Sequence, residues 1–224
     1  MTAVIDHLDK RIGAARVLED ICLTVSDGTV VGLSGPNGSG KTMLMRALVG
    51  LIRPTNGTVV VDGKRLWRDA AFPRSVGVLL ENPAFLDSRT GFDNLKILAK
   101  IKGCVGRKRR DKETIRVMVS RALERVGLDP HDKRKYRKYS LGMKQRLGIA
   151  AAIMEEPTLI VLDEPMNALD FHGVDLAREI IEEEKQRGAA IVLACHDAVL
   201  LRELSDEICF MDRGRIVKRE EVAK

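Results

Sequence analysis

Apolar and polar residues alternate loosely near the start of the chain, as they do in half-buried β-strands. Val17–Val25 (VLEDICLTV) is predicted to be one such strand, and Thr58–Val61 another. The Asp62-Gly63 pair that follows is typical of a hairpin turn. The alternation therefore predicts an antiparallel β part at the N-terminus.

From Gly91 onward the apolar positions follow the period of an α-helix. Phe92–Lys102 is predicted to be one helix, and Ser140 is predicted to cap another that runs to about residue 155. Between them lies an amphipathic stripe at helical spacing, formed by Ile115, Met118, Val119, Ala122, Leu123 and Val126. Residues 91–155 are therefore predicted to be mainly helical.

After this helical stretch, short apolar runs alternate with helical segments. The predicted strands are Leu159–Leu162, Ala190–Ala194 and Ile208–Met211, and the predicted helices are Gly173–Arg187 and Ala198–Leu204. Such alternation is typical of a mostly parallel sheet with helices on both faces. The chain has 224 residues, 45% of them hydrophobic, which suits an α/β fold with a sizeable core.

The strongest motif lies between a short apolar strand, Thr29–Leu33, and the helix predicted to follow it. Its glycines let successive backbone N–H groups face an anion, and the helix N-terminus adds positive partial charge. A glycine-rich turn that binds nothing would not need lysine and threonine at fixed offsets. Nucleotide binding is therefore predicted, with Lys41 on the phosphates and Thr42 on Mg²⁺. The motif fits G-x-x-x-x-G-K-[ST] over Gly35, Pro36, Asn37, Gly38, Ser39, Gly40, Lys41 and Thr42.

Two carboxylates and a histidine follow the ends of other predicted strands. Asp163 ends the run LIVL and is predicted to hold Mg²⁺, as the strand-end aspartate of phosphate-loop ATPases does. Glu164 beside it is predicted to be the general base for the attacking water. His196 ends another apolar strand, where its imidazole could hydrogen-bond the γ-phosphate or hold the pair formed by the water and Glu164.

A second potential anion site begins at Ser140, within the sequence YSLGMKQR. A capped helix start with a glycine in its first turn is suited to binding an anion. One chain rarely needs two such helix ends for one nucleotide, whereas a dimer in which each chain closes the other's site does. The motif therefore predicts a dimer that closes on nucleotide.

The charge distribution leaves different kinds of partner open. The net charge is +6, and residues 91–140 hold 16 Lys/Arg against 6 Asp/Glu, so the basic excess lies in this segment. A solvated helical face, an anionic membrane surface and nucleic acid are all compatible with it. Aromatic residues make up only 4% of the chain, which argues against a base-stacking nucleic-acid platform.

Other features favour a cytoplasmic protein without membrane spans of its own. No apolar run reaches the roughly 18 residues of a membrane-spanning helix, and the N-terminus lacks the apolar segment of a secretory signal. The cysteines are scattered without C-x-x-C spacing, so reduced thiols are expected rather than disulfides or a zinc framework. They are Cys22, Cys104, Cys195 and Cys209.

The motifs GPNGSGKT, YSLGMKQR and LIVLDE, together with Cys195-His196-Asp197, closely resemble those of ABC transporter ATP-binding subunits, and the resemblance covers the whole chain. It implies ATP and Mg²⁺ as ligands. It implies a RecA-like phosphate-loop core at about residues 1–84 and 156–224, with an inserted helical subdomain at about residues 85–155. It also implies a head-to-tail dimer in which the signature of one chain faces the ATP of the other. That signature is matched by Ser140, Leu141, Gly142 and Met143.

Three positions carry further expectations from this resemblance. Glu81 stands where the family usually has glutamine, and we expect it to approach Mg²⁺ and to couple hydrolysis to the membrane subunit. Asp170 lies in the loop that is expected to communicate between the two sites. Ile12 stands near the place of an aromatic residue that stacks on adenine, so looser base selectivity is expected. Glu81 and the YSLGMKQRL sequence resemble the ATPases of bacitracin-resistance and lantibiotic-immunity exporters.

The favoured interpretation is an ATPase subunit on the cytoplasmic face of the plasma membrane, driving a separate membrane permease. The cargo would be an antimicrobial peptide, a drug or another amphiphile, moved outward. A second, identical ATPase chain is expected as partner, and no nucleic acid. Two alternatives stay open: a soluble ABC-type ATPase acting on nucleic acid or ribosomes, which the basic segment supports, and an importer ATPase.

Overall fold

The computed structural model describes residues 3–80, 84–103 and 111–223, so that Glu81 and the basic run at residues 107–110 lie outside the described residues. Its elements confirm the predicted α/β class. The strands are β1 (Ala3–Ile12), β2 (Ala15–Val25), β3 (Val30–Ser34), β4 (Asn56–Val61), β5 (Lys64–Arg65), β6 (Val76–Leu79), β7 (Leu159–Asp163), β8 (Ala190–Ala194), β9 (Glu207–Asp212) and β10 (Arg215–Glu221). The helices are α1 (Lys41–Leu48), α2 (Gly91–Gly103), α3 (Lys112–Arg125), α4 (Leu141–Ile153), α5 (Phe171–Gln186) and α6 (Ala198–Leu204).

A six-stranded sheet forms the centre of the fold, with the strand order β10-β9-β3-β8-β7-β6. Its neighbouring strands are parallel, except for the antiparallel pair β10 and β9. Strands β7 and β8 are buried at every residue, as their almost continuous apolar sequences, LIVLD and AIVLA, require. The mostly parallel sheet predicted from the sequence is therefore confirmed.

The second sheet is antiparallel and has the order β2-β1-β4-β5. The turn at Asp62-Gly63 brings Val61 opposite Lys64, which confirms the predicted hairpin. This sheet is the antiparallel β part expected at the N-terminus. Helix α1 lies against it, so that the segment leaving the phosphate loop is covered by the antiparallel sheet.

Alternate residues of the central strands face two different hydrophobic cores. Val161 and Val192 pack in the core that contains α1 and the antiparallel sheet. Their neighbours Ile160 and Ile191 pack in the core that contains helices α2 to α6. Because side chains alternate between the faces of a strand, the central sheet is covered on both sides.

Helices α2, α3 and α4 lie between β6 and β7 in the chain, which confirms the predicted helical interruption. That these helices form a separate subdomain, at about residues 85–155, remains a prediction. Helix α4 packs closely on β6, since a Cβ atom at Gly77 would lie 1.9 Å from the carbonyl oxygen of Ala152. Only glycine permits this approach. None of the described helices is long and apolar enough to cross a membrane.

The sequence pattern does not predict the last strand, β10. Five of its seven residues, RIVKREE, are charged, which is typical of an exposed edge strand. It pairs with β9, with Ile216 opposite Met211. Pairing with β9, rather than an apolar pattern of its own, therefore makes this segment a strand.

A buried glutamate joins α3 to α5. The side chain of Glu184 is 3% exposed and lies 2.7 Å from the guanidinium of Arg125, in the last turn of α3. Its second oxygen lies 2.6 Å from Arg187. Arg125 also reaches Glu183 at 2.8 Å, but that carboxylate is 62% exposed. We infer that Glu184 makes the stronger electrostatic tie between the two helices.

Replacing Glu184 by alanine is expected to lower the free energy of unfolding by about 3 kcal/mol, because two arginines lose a buried partner. Glu183→Ala is the matched control, with an expected cost below about 1 kcal/mol, because solvent already screens that pair. Urea denaturation of both variants measures the difference. Equal losses would contradict the assignment of the tie to Glu184.

Candidate active site

The carboxyl ends of β3, β8 and β7 lie side by side at one edge of the central sheet. Leu33 pairs with Ala194, and Ala194 pairs with Asp163, so the three strands end at one level. A cleft of about 640 Å³ opens over this edge. It brings together predicted phosphate, metal and general-base residues. Its lining comprises Arg16, Val17, Asn37, Gly38, Ser39, Gly40, Lys41, Thr42, Met43, Gln145, Asp163, Glu164, Asn167, His196, Arg213 and Gly214.

Glycines in left-handed conformations shape the phosphate loop. The backbone angle φ is 79° at Gly38 and 106° at Gly40. A Cβ atom at Gly38 would meet nothing within 4 Å, so the backbone there borders open space. Gly40 is the N-cap of α1, whose first-turn N–H groups have no intrahelical acceptors. These donors and the helix dipole fit a chain of phosphates.

Lys41 is held inside this loop. It is 9% exposed, and its Nζ donates to the carbonyl oxygens of Gly35 at 2.6 Å and Pro36 at 3.2 Å. The loop therefore keeps a positive charge beside the donors that would face an anion. Ser39 is 2% exposed, and its hydroxyl has no hydrogen-bond partner among the described residues. A buried hydroxyl in that condition fits a site that takes a polar ligand.

Thr42 and Asp163 meet at the base of the cleft. The Thr42 hydroxyl donates to Oδ2 of Asp163 at 2.6 Å, and Asp163 is 6% exposed. A hydroxyl and a carboxylate offer the hard oxygen atoms that Mg²⁺ prefers. The residues predicted to hold Mg²⁺ from these two segments are therefore adjacent. Glu81, the third predicted ligand, lies outside the described residues.

Glu164 occupies a left-handed backbone conformation, with φ of 52°, directly after β7. Its N–H donates to the carbonyl of Ala194 at 2.9 Å, which fixes it to the end of β8. Its Oε2 accepts the N–H of His196 at 3.1 Å, and the His196 ring nitrogen Nε2 lies 3.5 Å from Oε1. Oε1 is buried and accepts no hydrogen bond from the described residues. A buried acceptor without a donor fits a site whose missing partner is a water or a ligand.

Sequence reasoning missed Gln145, a buried polar residue of α4 that lines the cleft. Its Nε2 donates to the backbone carbonyl of Glu164 at 2.9 Å. Non-glycine residues are uncommon at positive φ, so this bond supports a strained residue. The sequence did offer one signal for Gln145, because a glutamine on the buried face of the helix capped by Ser140 must hydrogen-bond to something.

The signature residues begin α4 but do not line the cleft of their own chain, as far as the described residues show. Ser140 caps the helix by accepting the Met143 N–H at 3.2 Å. Leu141 is 71% exposed. The capped helix start is therefore available to another molecule. Gly142 sits against the loop after β7, where an added Cβ would lie 2.9 Å from the carbonyl oxygen of Ala168.

Asp170 ends this loop and caps α5. Its Oδ1 accepts the Gly173 N–H at 2.9 Å and lies 2.8 Å from Nη2 of Arg146 on α4. The hydrogen bond from Gly173, and then that from Arg146, hold the pKa of Asp170 below its usual value. The loop from Glu164 to Asp170 is therefore tied to α4 at both ends.

Ile12, expected near the base of the nucleotide, is 53% exposed and is not among the residues that line the cleft. Arg16 and Val17 of the same hairpin line it. The hairpin therefore places Arg16 and Val17 at the cleft, rather than Ile12, which the family resemblance had put near the base.

The fold and the cleft together define a phosphate-loop nucleotide-binding protein. A family model described as ABC transporter matches residues 18–167, and the chain belongs to that family. As a member it is an ATP-binding, ATP-hydrolysing subunit of an ABC transporter, which confirms the resemblance seen in its motifs.

Named relatives match nearly the whole chain. The uncharacterized ABC transporter ATP-binding protein YybJ of Bacillus subtilis (strain 168) is 44% identical, over 96% of this chain and 95% of YybJ. The bacitracin transport ATP-binding protein BcrA of Enterococcus faecalis is 37% identical, over 98% of this chain and 69% of BcrA. The lantibiotic transport ATP-binding protein SrtF of Streptococcus pyogenes is 35% identical, over 97% of this chain and 90% of SrtF.

Solved structures share the fold over nearly the whole chain. An ATP-binding subunit of an ABC transporter has a TM-score of 0.88 at 25% identity, covering 99% of this chain and 90% of its own. The cassette MJ0796, solved as a dimer in a post-hydrolysis state with ADP and Pi, has a TM-score of 0.89 at 23% identity, covering 99% of both chains. The RecA-like phosphate-loop fold predicted from the sequence is therefore confirmed.

Replacing Gln145 by leucine, which has a similar volume, is expected to lower kcat about 10- to 100-fold, because Glu164 loses the bond that holds its backbone. ATP affinity should change little, since the hydrogen bond described for the Gln145 side chain goes to the backbone of Glu164 and not to the phosphate loop. Steady-state ATPase assays and nucleotide titrations separate the two quantities.

Gln186→Leu is the matched control, since Gln186 is exposed and its side chain donates to Glu182 on its own helix, at 3.1 Å. It should leave kcat unchanged. A Gln145→Leu variant with wild-type kcat would show that the bond does not position Glu164.

Proposed function

We propose that this chain powers a separate membrane permease that exports an antimicrobial peptide, a drug or a similar amphiphile. The main support is its likeness, over nearly its full length, to a bacitracin transport protein at 37% identity and a lantibiotic transport protein at 35%. Both relatives are named for peptide antibiotics. The cargo does not need to touch the ATPase chain, so this likeness supports the class of cargo rather than its identity.

In the hydrolytic step, Glu164 is proposed to be the general base. Its buried Oε1 accepts no hydrogen bond among the described residues, so a water admitted between this oxygen and the γ-phosphate could give up its proton there. His196 is proposed to hold that carboxylate through its backbone N–H and its ring. Lys41 is proposed to bind the β and γ phosphates, together with the N–H groups of the loop.

Thr42 and Asp163 are proposed to hold Mg²⁺, because their adjacent hydroxyl and carboxylate offer hard oxygen ligands. Bound there, the ion would offset charge on the phosphates. Glu81 is proposed as a further oxygen ligand and as the contact that couples hydrolysis to the permease. This assignment rests on its place in the sequence just after β6.

Two copies of the chain are proposed to form the working pair, each closing the other's cleft with its signature. Ser140, Leu141, Gly142 and Met143 would face the partner's ATP, and Asp170 would link the two sites. The exposure of Leu141 at 71% and of Phe171 at 84% supports a partner surface at this end of α4 and α5. The dimeric cassette MJ0796 of the same fold is a precedent for pairing.

The proposed location is the cytoplasmic face of the plasma membrane, where the permease would hold the chain. No nucleic-acid role is proposed. Some of the basic residues that favour one have acidic neighbours: Arg134 lies 2.9 Å from Asp132, and Arg121 lies 3.8 Å from Glu156. These pairs support a solvated helical face as the origin of part of the basic excess.

Glu164→Gln is expected to lower ATP hydrolysis by about 10²- to 10⁴-fold, because the amide cannot accept the proton. ATP binding should persist, and the ATP-bound dimer should accumulate. Lys41→Ala should instead weaken nucleotide binding. Glu179→Gln, at an exposed position of α5, is the matched control and should behave as wild type. Near-normal turnover in Glu164→Gln would overturn the general-base assignment.

In the source organism, Glu164→Gln is expected to raise susceptibility to bacitracin or to a lantibiotic, because the exporter loses its energy source. Minimum inhibitory concentrations, compared with those of the Glu179→Gln strain, measure the effect. Unchanged susceptibility to both peptides, with loss of uptake of a nutrient, would contradict export and favour an importer. Salt-sensitive binding of the purified chain to RNA or DNA would favour the nucleic-acid alternative.

A further inference from the structure

A bulge between β1 and β2 places three different metal-ligating side chains together, on the antiparallel sheet and outside the ATP cleft. Ile5 pairs with Leu23 and Leu8 with Ile21, so that Asp6 and His7 on β1 stand opposite the single residue Cys22 on β2. The four paired residues are buried, whereas Asp6 and His7 are exposed and Cys22 is partly exposed. The bulge therefore adds His7 to the solvent-facing side beside Asp6 and Cys22.

The backbone at this bulge is strained. His7 has a φ of 45°, and Asp20, across the strand pair, has a φ of 51°. Neither is glycine, so both conformations are uncommon and costly. The third strand is fitted to the bulge, because a Cβ atom at Gly57 would lie 2.2 Å from the carbonyl oxygen of His7. A bulge held in this way is a built feature of the sheet rather than a loose irregularity.

The side chains are arranged like a histidine ligand with its supporting carboxylate. One donor atom from each of Asp6, His7 and Cys22 lies within 4.8 Å of the other two. Nδ1 of His7 is 2.6 Å from Oδ1 of Asp20, and Nε2 is 3.9 Å from Oδ1 of Asp6. If Nδ1–H donates to Asp20, Nε2 is left to bind a metal. Ligating histidines commonly have such a carboxylate behind them.

We propose that Asp6, His7 and Cys22 bind a Zn²⁺ ion, with Asp20 orienting the imidazole. Thiolate, imidazole and carboxylate are the three protein ligands of zinc, and the thiolate selects against Mg²⁺ and Ca²⁺. Three protein ligands leave one tetrahedral position for water. Binding would displace the Cys22 thiol proton and draw the three donors closer together. The ion would thereby fasten β1 to β2.

The same residues could also form only a surface ion pair between His7 and Asp20. The hydrogen bond with Asp20 raises the pKa of His7 above its usual value, so protons would compete with a metal for this ring more strongly than for a free imidazole. The side chains of Asp6 and His7 are 65% and 71% exposed. The site is therefore directly accessible to a metal ion from solvent.

The test is a Co²⁺ titration of the full chain without nucleotide, in excess Mg²⁺ so that the ATP cleft does not compete. Wild type is expected to develop the thiolate-to-cobalt charge-transfer absorption, and one equivalent of Zn²⁺ should remove it. Cys22→Ser should abolish the band. Asp20→Asn should weaken binding about 10- to 100-fold, as loss of a carboxylate behind a ligating histidine does. Circular dichroism checks that each variant is folded.

Cys195→Ser is the matched control, since Cys195 is buried at the end of the central sheet, and it should keep the band. Zn²⁺ should also raise the Tm of wild type but not of Cys22→Ser. No band in wild type, or a band that survives Cys22→Ser, would overturn the site. Wild-type affinity in Asp20→Asn would overturn the role of Asp20.

Discussion

The parallel pairing of β3, β8 and β7 is the constraint on which the rest of the structure depends. Their register brings Leu33, Ala194 and Asp163 to one level, and each strand then passes directly into a segment of the cleft. Burial on both faces fixes that register, because a shift by one residue would exchange the two cores. The phosphate loop, Asp163 and Glu164 therefore share one edge of the sheet.

The second level of organisation is the fastening of α4 to the loop after β7. Gln145 holds the backbone of Glu164, and Arg146 holds Asp170, six residues further on. Gly142 brings the helix start against the carbonyl of Ala168, which itself has a φ of 62°. If a partner's nucleotide binds at Ser140 as proposed, it would bear on the helix whose Gln145 holds the backbone of Glu164. The contacts of α4 therefore connect the proposed signature to the proposed general base.

Much of this fold could be predicted from the sequence because its local signals agree. Ala190–Ala194 and Ala198–Leu204 have the predicted bounds, since a continuous apolar run and an aspartate-capped helix leave little choice. Six of the eight predicted phosphate-loop residues, from Asn37 to Thr42, line the expected cleft together with Asp163, whereas Gly35 and Pro36 are not among its lining residues. Strand β10 was missed because its residues are mostly charged and its pairing partner is set by the tertiary fold.

The features that sequence reasoning missed, in the cleft and at the bulge between β1 and β2, have a common physical cause. The left-handed conformation of Glu164 and its bond from Gln145 depend on a helix that precedes β7 in the chain and packs against the loop that follows it. The bulge at His7 depends on a glycine in a different strand, Gly57. No sequence period reports such contacts. They arise where two separately predicted elements meet, and only the packed structure shows which side chain bridges them.

The central claim is that one chain builds only half of a hydrolytic site and that the signature of a second chain completes it. Cysteine substitutions at Asn37 in the phosphate loop and at Ser140 in the signature, combined in one chain, test this by oxidative cross-linking. The account predicts a covalent dimer that forms with ATP and not without it, while each single variant stays monomeric. Absence of the dimer with ATP, or a yield that ATP does not change, would contradict the account.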